Sequence, residues 1–232
     1  MSIGDIRSGA AASPLLTELR AGGARADYHR VDVTDEPAVA QWIAAVTRRW
    51  GSPTIVVPNA AVFAQGTLLE LTSAQWRRDL EVNLDGAYYL AVRSARAMVQ
   101  HRVAGAIVFI GSWAAHVPHP HLPSYSVSKA GLRMLMQCLA AETAPHGIRV
   151  NEVAPGFVDA GLSAQLFRQQ PRLTADCRAR VPTQRLIAPA EIARHVVALS
   201  RGDNLNQTGS TVIVDGGLSI GPFAHYPRKK IR

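Results

Sequence analysis

Five consecutive apolar residues, Ala106-Ile107-Val108-Phe109-Ile110, stand between Gly105 and Gly111. A run so short and so uniformly apolar suits a strand buried on both faces, and such strands belong to parallel sheets covered by helices. Further strands are expected at 26–33, 54–57, 148–153 and 211–214, and Ile3-Gly4-Asp5 has the look of a strand end. Helical patterns fill the intervals at 15–21, 76–99, 125–145 and 189–200, with another capped by Thr34 or Asp35 and running to Trp50. The arginine-rich stretch 160–181 is weakly patterned and is expected to form a helical lid. Strand–helix alternation throughout predicts an α/β fold, a parallel sheet with helices on both faces. No repeat, linker or change of composition divides 1–232, so a single domain is expected.

Ser112 follows the apolar run at its carboxyl end, where open α/β sheets place their ligands. After a loop rich in proline and histidine, Tyr125 and Lys129 open the next helical pattern. Four residues apart on a helix, they share one face about a turn from each other. A lysine ammonium there is expected to favour the phenolate and to draw the tyrosine pKa down. With the Ser112 hydroxyl added, the three form an acid/base device for a carbonyl or alcohol oxygen. Tyr-x-x-x-Lys by itself is common on helices; the buried strand, the serine at its exit and the thirteen-residue interval to the tyrosine give it weight here.

That arrangement resembles the short-chain dehydrogenase/reductase family, and the resemblance extends over nearly the whole chain. It implies a Rossmann-like, doubly wound parallel sheet and an oxidoreductase that interconverts a secondary alcohol and a ketone with NAD(P)(H). Ser112, Tyr125 and Lys129 fall on the catalytic positions, and Asn83 falls where the family has a helix asparagine that carries a water of the proton relay. Asp32 and Val33 match the family's Asp-Val at the adenine. Asn59 matches an asparagine that braces the sheet beside the cofactor, although Ala61 replaces the glycine two residues on. Tyr125 and Lys129 would also hold the nicotinamide ribose. Pro155 and Gly156 would lie against the nicotinamide, but Ala160 stands where a threonine usually orients its carboxamide. Asp5 matches an acidic residue that grips the adenosine ribose, which favours NAD, with NADP as the alternative. The family's first strand, glycine-rich loop and first helix have no counterpart here. The chain is therefore expected to be truncated at its start relative to the family, either a short product of a longer enzyme or a natural short form. In this strand order the absent strand would lie mid-sheet, and its loss would expose two strand edges. The resemblance also implies a homo-oligomer, a tetramer or dimer, joined through the helices at 76–99 and 125–145.

Composition narrows the remaining classes. The net charge of +8 is spread over several helical patterns, and only Arg228-Lys229-Lys230-Ile231-Arg232 forms a basic cluster, so nucleic-acid binding is not expected. No apolar run approaches the length of a membrane span and no signal peptide opens the chain. Two cysteines without metal or redox spacing, Cys138 and Cys177, fit free thiols in a cytoplasmic protein. His116, His119 and His121 crowd one loop, but no acid or cysteine completes a metal set and Pro118, Pro120 and Pro123 stiffen the segment, so no metal is expected. Two other readings compete with the dehydrogenase: a catalytically silent member that binds dinucleotide poorly, and non-redox acid/base work on the Ser112–Tyr125–Lys129 face.

Overall fold

The computed structural model describes residues 1–119 and 121–221. Pro120 and the basic cluster at 228–232 lie outside the described residues. The fold is Rossmann-like, with parallel strands and covering helices, as the alternation predicts. In chain order the elements are β1 (Ser2–Asp5), α1 (Gly9–Ala21), β2 (Asp27–Arg30), α2 (Glu36–Trp50), β3 (Ile55–Val56), α3 (Ser73–Leu80), α4 (Gly86–His101), β4 (Gly105–Ile110), α5 (Pro123–Thr143), β5 (Ile148–Pro155), α6 (Gly161–Gln169), α7 (Pro171–Arg180), α8 (Pro189–Ser200) and β6 (Thr211–Val214). A single π-helical turn, Glu81–Asp85, joins α3 to α4.

The strands form two groups: a parallel pair β1-β2 and a four-stranded parallel sheet in the order β3-β4-β5-β6. All eight residues of β5 are buried, as befits the sheet's interior. Strand alternation sorts the core into two layers. Ile107 and Phe109 of β4 and Ile148 and Val150 of β5 pack with α4 and α5, through Leu90, Met98, Leu132 and Met136. Val108 and Val153 face the other way, onto Ile192 and Leu199 of α8.

Packing holds the β1-β2 pair to the larger sheet. Val39 and Ile43 of α2 join the α4–α5 core layer, Trp42 donates its indole N–H to Ser2 Oγ at 2.9 Å, and Arg93 of α4 pairs with Glu36 of α2 at 2.6 Å. The strands at this junction are shorter than expected. β2 covers only Asp27–Arg30 and β3 only Ile55–Val56, and Ile55 and Val57 are exposed. Each has a paired neighbour on one side only among the described residues, and a one-sided ladder ends sooner. α1 starts at Gly9, earlier than the apolar pattern suggests, and takes Pro14 inside it. None of its residues is buried, so no buried face marks its limits in the sequence. The stretch 160–181 resolves into two helices, α6 and α7, and Asp35 rather than Thr34 caps α2 by accepting from the Ala38 N–H at 3.0 Å.

Candidate active site

The carboxyl end of β4 delivers Ser112, and the first turns of α5 deliver Tyr125 and Lys129. Ser112 is buried and caps the short turn Trp113–Ala115, its Oγ accepting from the Ala114 N–H at 3.2 Å. The Ser112 side chain stands close enough to the Tyr125 hydroxyl to influence its proton. The Tyr125 ring meets Phe63 edge-on, with centroids 6.3 Å apart. Lys129 is 2% exposed, its Nζ lies 5.6 Å from the Tyr125 ring centre, and it donates to the Ile110 carbonyl at 2.8 Å. The spacing in the sequence thus brings the three side chains together.

Their electrostatics differ from the expected pattern. Burial is the leading influence on Tyr125 and pushes its hydroxyl above the ordinary 10.0; the nearby Ser112 side chain works against this and the Asp79 carboxylate adds to it. Lys129 does not draw the phenol down, because its ammonium is turned to a backbone carbonyl and is itself penalised by burial. Its pKa falls to about 8, with the Glu152 carboxylate acting in the opposite sense. Tyr125 is consequently a protonated acid at neutral pH.

Asn83 sits in the π turn, fully buried, a place where an extra residue in the helix redirects side chains. Its amide is engaged at both ends: Oδ1 accepts from the Val62 N–H at 2.8 Å, and Nδ2 donates to the Val62 carbonyl at 2.9 Å and to Ser128 Oγ at 3.0 Å. Ser128 in turn donates to the Tyr125 carbonyl at 2.8 Å. The side chain ties Val62 to the start of α5; both amide hydrogens are taken, and Oδ1 keeps one acceptor position.

The residues matched to the dinucleotide are divided between the two strand groups. Asp5 ends β1 and is held by Arg7, whose Nη2 lies 2.8 Å from Oδ2 and whose backbone N–H reaches Oδ1 at 3.0 Å. The Arg7 guanidinium keeps the Asp5 carboxyl below its ordinary range. Asp32 follows β2, exposed, with Oδ1 accepting from the Thr34 N–H and hydroxyl; these bonds lower its pKa. Its second oxygen is free of protein partners among the described residues. Val33 lies against Gly86 at the head of α4. Pro155 ends β5, and Gly156 donates its N–H to the Val214 carbonyl at 2.9 Å. A Cβ on Gly156 would stand 2.8 Å from Asp215 Cα, so only glycine lets these two backbones cross. Asn59 is exposed and makes no side-chain hydrogen bond among the described residues. It follows β3, which among the described residues pairs only with β4.

Several residues of the cleft escaped the sequence reading. Glu152 of β5 is fully buried on the α5 side of the sheet, where Thr211 Oγ1 donates to Oε2 at 2.7 Å and Oε1 has no partner. Burial pushes its carboxyl up. It lies against Gly111, where any Cβ would collide with Oε1. Asp79 of α3, also buried, accepts from the Ala64 N–H at 3.1 Å and from the Ser124 hydroxyl. A charged residue inside a buried strand pattern, as in Arg149-Val150-Asn151-Glu152-Val153, is a signal that could have found the first. The histidines disperse: His116 bonds Arg133 at 2.7 Å, His119 tilts on the Trp113 ring at 5.5 Å, and no group of metal-ligating side chains gathers among the described residues. Among these residues, too, no helix is long and apolar enough to cross a membrane.

Comparison with known proteins finds relatives over most of the chain. Residues 6–219 match the family model described as enoyl-(acyl carrier protein) reductase. Cis-4-hydroxycyclohexanecarboxylate dehydrogenase of Sinomonas cyclohexanicum is 36% identical over 218 residues, 94% of this chain and 85% of that protein. A short-chain type dehydrogenase/reductase from Mycobacterium marinum superposes with a TM-score of 0.89 at 27% identity, over 95% of this chain and 85% of the other. Gluconate 5-dehydrogenase from Burkholderia cenocepacia, solved with NADP and tartrate, gives 0.86 at 27% identity, covering 94% and 85%.

Proposed function

The chain belongs to the short-chain dehydrogenase/reductase family, and from that premise we propose that it interconverts a secondary alcohol and a ketone with a nicotinamide dinucleotide at the Ser112–Tyr125–Lys129 cleft. The observation that carries this reading is the convergence of three side chains at the carboxyl end of β4: Ser112 acts on the Tyr125 hydroxyl, and Lys129 packs beside the phenol ring. Two hydroxyls so placed can both bond one substrate oxygen. In reduction Tyr125 donates its proton to that oxygen and Ser112 holds it; in oxidation the phenolate takes the proton back. The cofactor supplies or accepts the hydride.

The residues present fit such a cofactor unevenly. On the nicotinamide side, Tyr125 and Lys129 would hold the ribose and the Pro155–Gly156 turn would back the ring. Asp32 keeps an open carboxylate oxygen for an adenine amino group. Asp5 is already paired with Arg7, so the ribose end offers a guanidinium beside a carboxylate, and NAD and NADP are both accommodated in charge. Because burial raises Tyr125, reduction should run best where the phenol is protonated, and oxidation should accelerate as pH rises above neutrality.

The silent reading is favoured by one observation: Lys129 is satisfied by the Ile110 carbonyl rather than aimed at a ligand. Titration with NADH and NADPH, followed by ketone reduction by the 232-residue protein and by its Tyr125→Phe variant, decides between them. Turnover abolished by Tyr125→Phe supports the dehydrogenase; weak dinucleotide binding and no turnover support the silent reading. Self-association is part of the same proposal. The outer face of α4 and α5 presents Tyr88, Val99 and Met134 to solvent beside Leu135, more apolar surface than one buried stripe requires.

A further inference from the structure

A guanidinium stands over two aromatic rings on the wall of this cleft. Arg180, the last residue of α7, has its Cζ 5.9 Å from the Trp113 ring centre and 5.8 Å from that of Phe157. The rings themselves meet edge to face at 5.5 Å. Trp113 directly follows Ser112, and Phe157 directly follows Gly156. Both pack with Tyr125 and with Val181, the residue after Arg180, in one apolar cluster. Burial of Val181 fixes the end of α7 there and sets the charge over the rings of the residues that follow Ser112 and Gly156.

A cation at the end of a helix needs no ligand, since the helix dipole already favours it. The dipole does not account for the rings beneath it or for the lack of an acidic partner. Arg180 takes part in none of the ion pairs among the described residues, which use Arg7, His29, Arg49, Arg93, Arg185 and Arg201. His119, on the same Trp113 ring, does not compete as a second cation. Burial first, and then the Arg180 charge, bring its pKa down to about 4, so it is neutral at working pH. Contact with a ring engages the plane of a guanidinium and leaves its N–H edge for a planar anion, which a carboxylate matches with two parallel bonds. Arg180 is itself exposed, so a carboxylate can reach it from solvent.

We propose that Arg180 binds a carboxylate on the substrate, so that the cleft takes keto acids and hydroxy acids in preference to neutral ketones and alcohols. The inference rests on the reading of Ser112 and Tyr125 as the site of the reacting oxygen. A phosphate of the dinucleotide is the other source of a matching anion, and the test separates the two. Binding of 2-oxopentanoate, 4-oxopentanoate and their methyl esters is measured by calorimetry on the 232-residue protein, with and without NADH, alongside NADH itself and inorganic pyrophosphate. At least one acid should bind about tenfold or more tightly than its ester, the scale of one charge-assisted pair. Arg180→Gln should erase that preference, and Arg180→Lys should restore part of it. Equal binding of acid and ester, no binding of either, or an acid preference that survives Arg180→Gln overturns the proposal. So does a loss of NADH and pyrophosphate binding in Arg180→Gln with acid binding unchanged, which would assign the guanidinium to the cofactor. Arg180-dependent binding of an acid that is never turned over would keep this inference and remove the dehydrogenase reading instead.

Discussion

Lys129 should weaken the fold at neutral pH, and replacing it with methionine measures by how much. Its ammonium is 2% exposed and its pKa stands at about 8 against the ordinary 10.5. At 1.36 kcal/mol per pKa unit, that depression corresponds to about 3 kcal/mol of penalty for the charged form inside the protein. Methionine fills a similar volume without a charge, but it forfeits the bond to the Ile110 carbonyl, worth about 1.5 kcal/mol or somewhat more. The net expectation is that Lys129→Met is more stable than wild type by about 1–2 kcal/mol at pH 7. The sign of the pH dependence follows from the depressed pKa. Below about 8 both folded and unfolded chains carry the charge and the full penalty applies. Between about 8 and 10.5 the folded lysine loses its proton first, and wild-type stability rises relative to the variant. Urea denaturation of both proteins at pH 7 and at pH 10 gives the two differences. A variant less stable than wild type at pH 7, or a difference that does not change with pH, would refute the reasoning. The same variant should have no turnover, since the proposed site keeps a costly charge for use.

Other substitutions probe other parts of the structure. Gly156→Ala drives a Cβ to 2.8 Å from Asp215 Cα, and the forced shift between β5 and the 215–217 turn should cost about 1–3 kcal/mol, seen as a lower thermal midpoint. Arg7→Ala frees the Asp5 carboxylate, so NADPH binding should fall while NADH binding holds or improves; equal loss for both would show that the pair serves only the β1 end. Leu135→Glu places a charge on the α4–α5 face and should convert a self-associated protein to monomer in sedimentation, with little change in secondary structure.

What was legible in the sequence is what depends on local geometry. Ser112 at a strand exit and Tyr125 and Lys129 one turn apart follow from an apolar run and a helix period, and the fold brings them together as that spacing requires. The alternation of strand and helix patterns carried the architecture for the same reason. Directions of side chains did not follow, because they depend on partners far along the chain. Nothing local tells that Lys129 turns to Ile110, that Asn83 spends its amide on Val62, or that burial raises Tyr125. The Asp5–Arg7 pair, two residues apart, lay at the limit of inference: the proximity was visible and the clasp was not. Arg180 was one arginine among several in a weakly patterned stretch, and only the packing of Val181 distinguishes it.

The division of the strands has a consequence for how any dinucleotide is held. Asp5 ends β1 and Asp32 follows β2, whereas Pro155 ends β5, Gly156 follows it, and Tyr125 and Lys129 lie on α5, which packs on the four-stranded sheet. Backbone hydrogen bonds couple the strands within each group, but among the described residues no ladder joins β1 to β3. The link runs through side chains instead: Trp42 to Ser2, Val39 and Ile43 in the α4 layer, and the Arg93–Glu36 pair. A half-exposed ion pair of that kind contributes little on its own, so the registration of the two halves rests on the apolar contacts of α2. A cofactor spanning both groups would therefore bind to two surfaces whose relative placement is set by packing. Part of its binding energy would go into fixing that placement. The free edges of β1 and β3 add to the same effect, since Ile55 and Val57 stand exposed where a central strand would be covered. The residues proposed for the nicotinamide side lie at or beside the wholly buried β5 and on α5, within the larger core. On the proposed reading, chemistry would depend on β4, β5 and α5, and cofactor affinity also on how well α2 holds the outer pair in place.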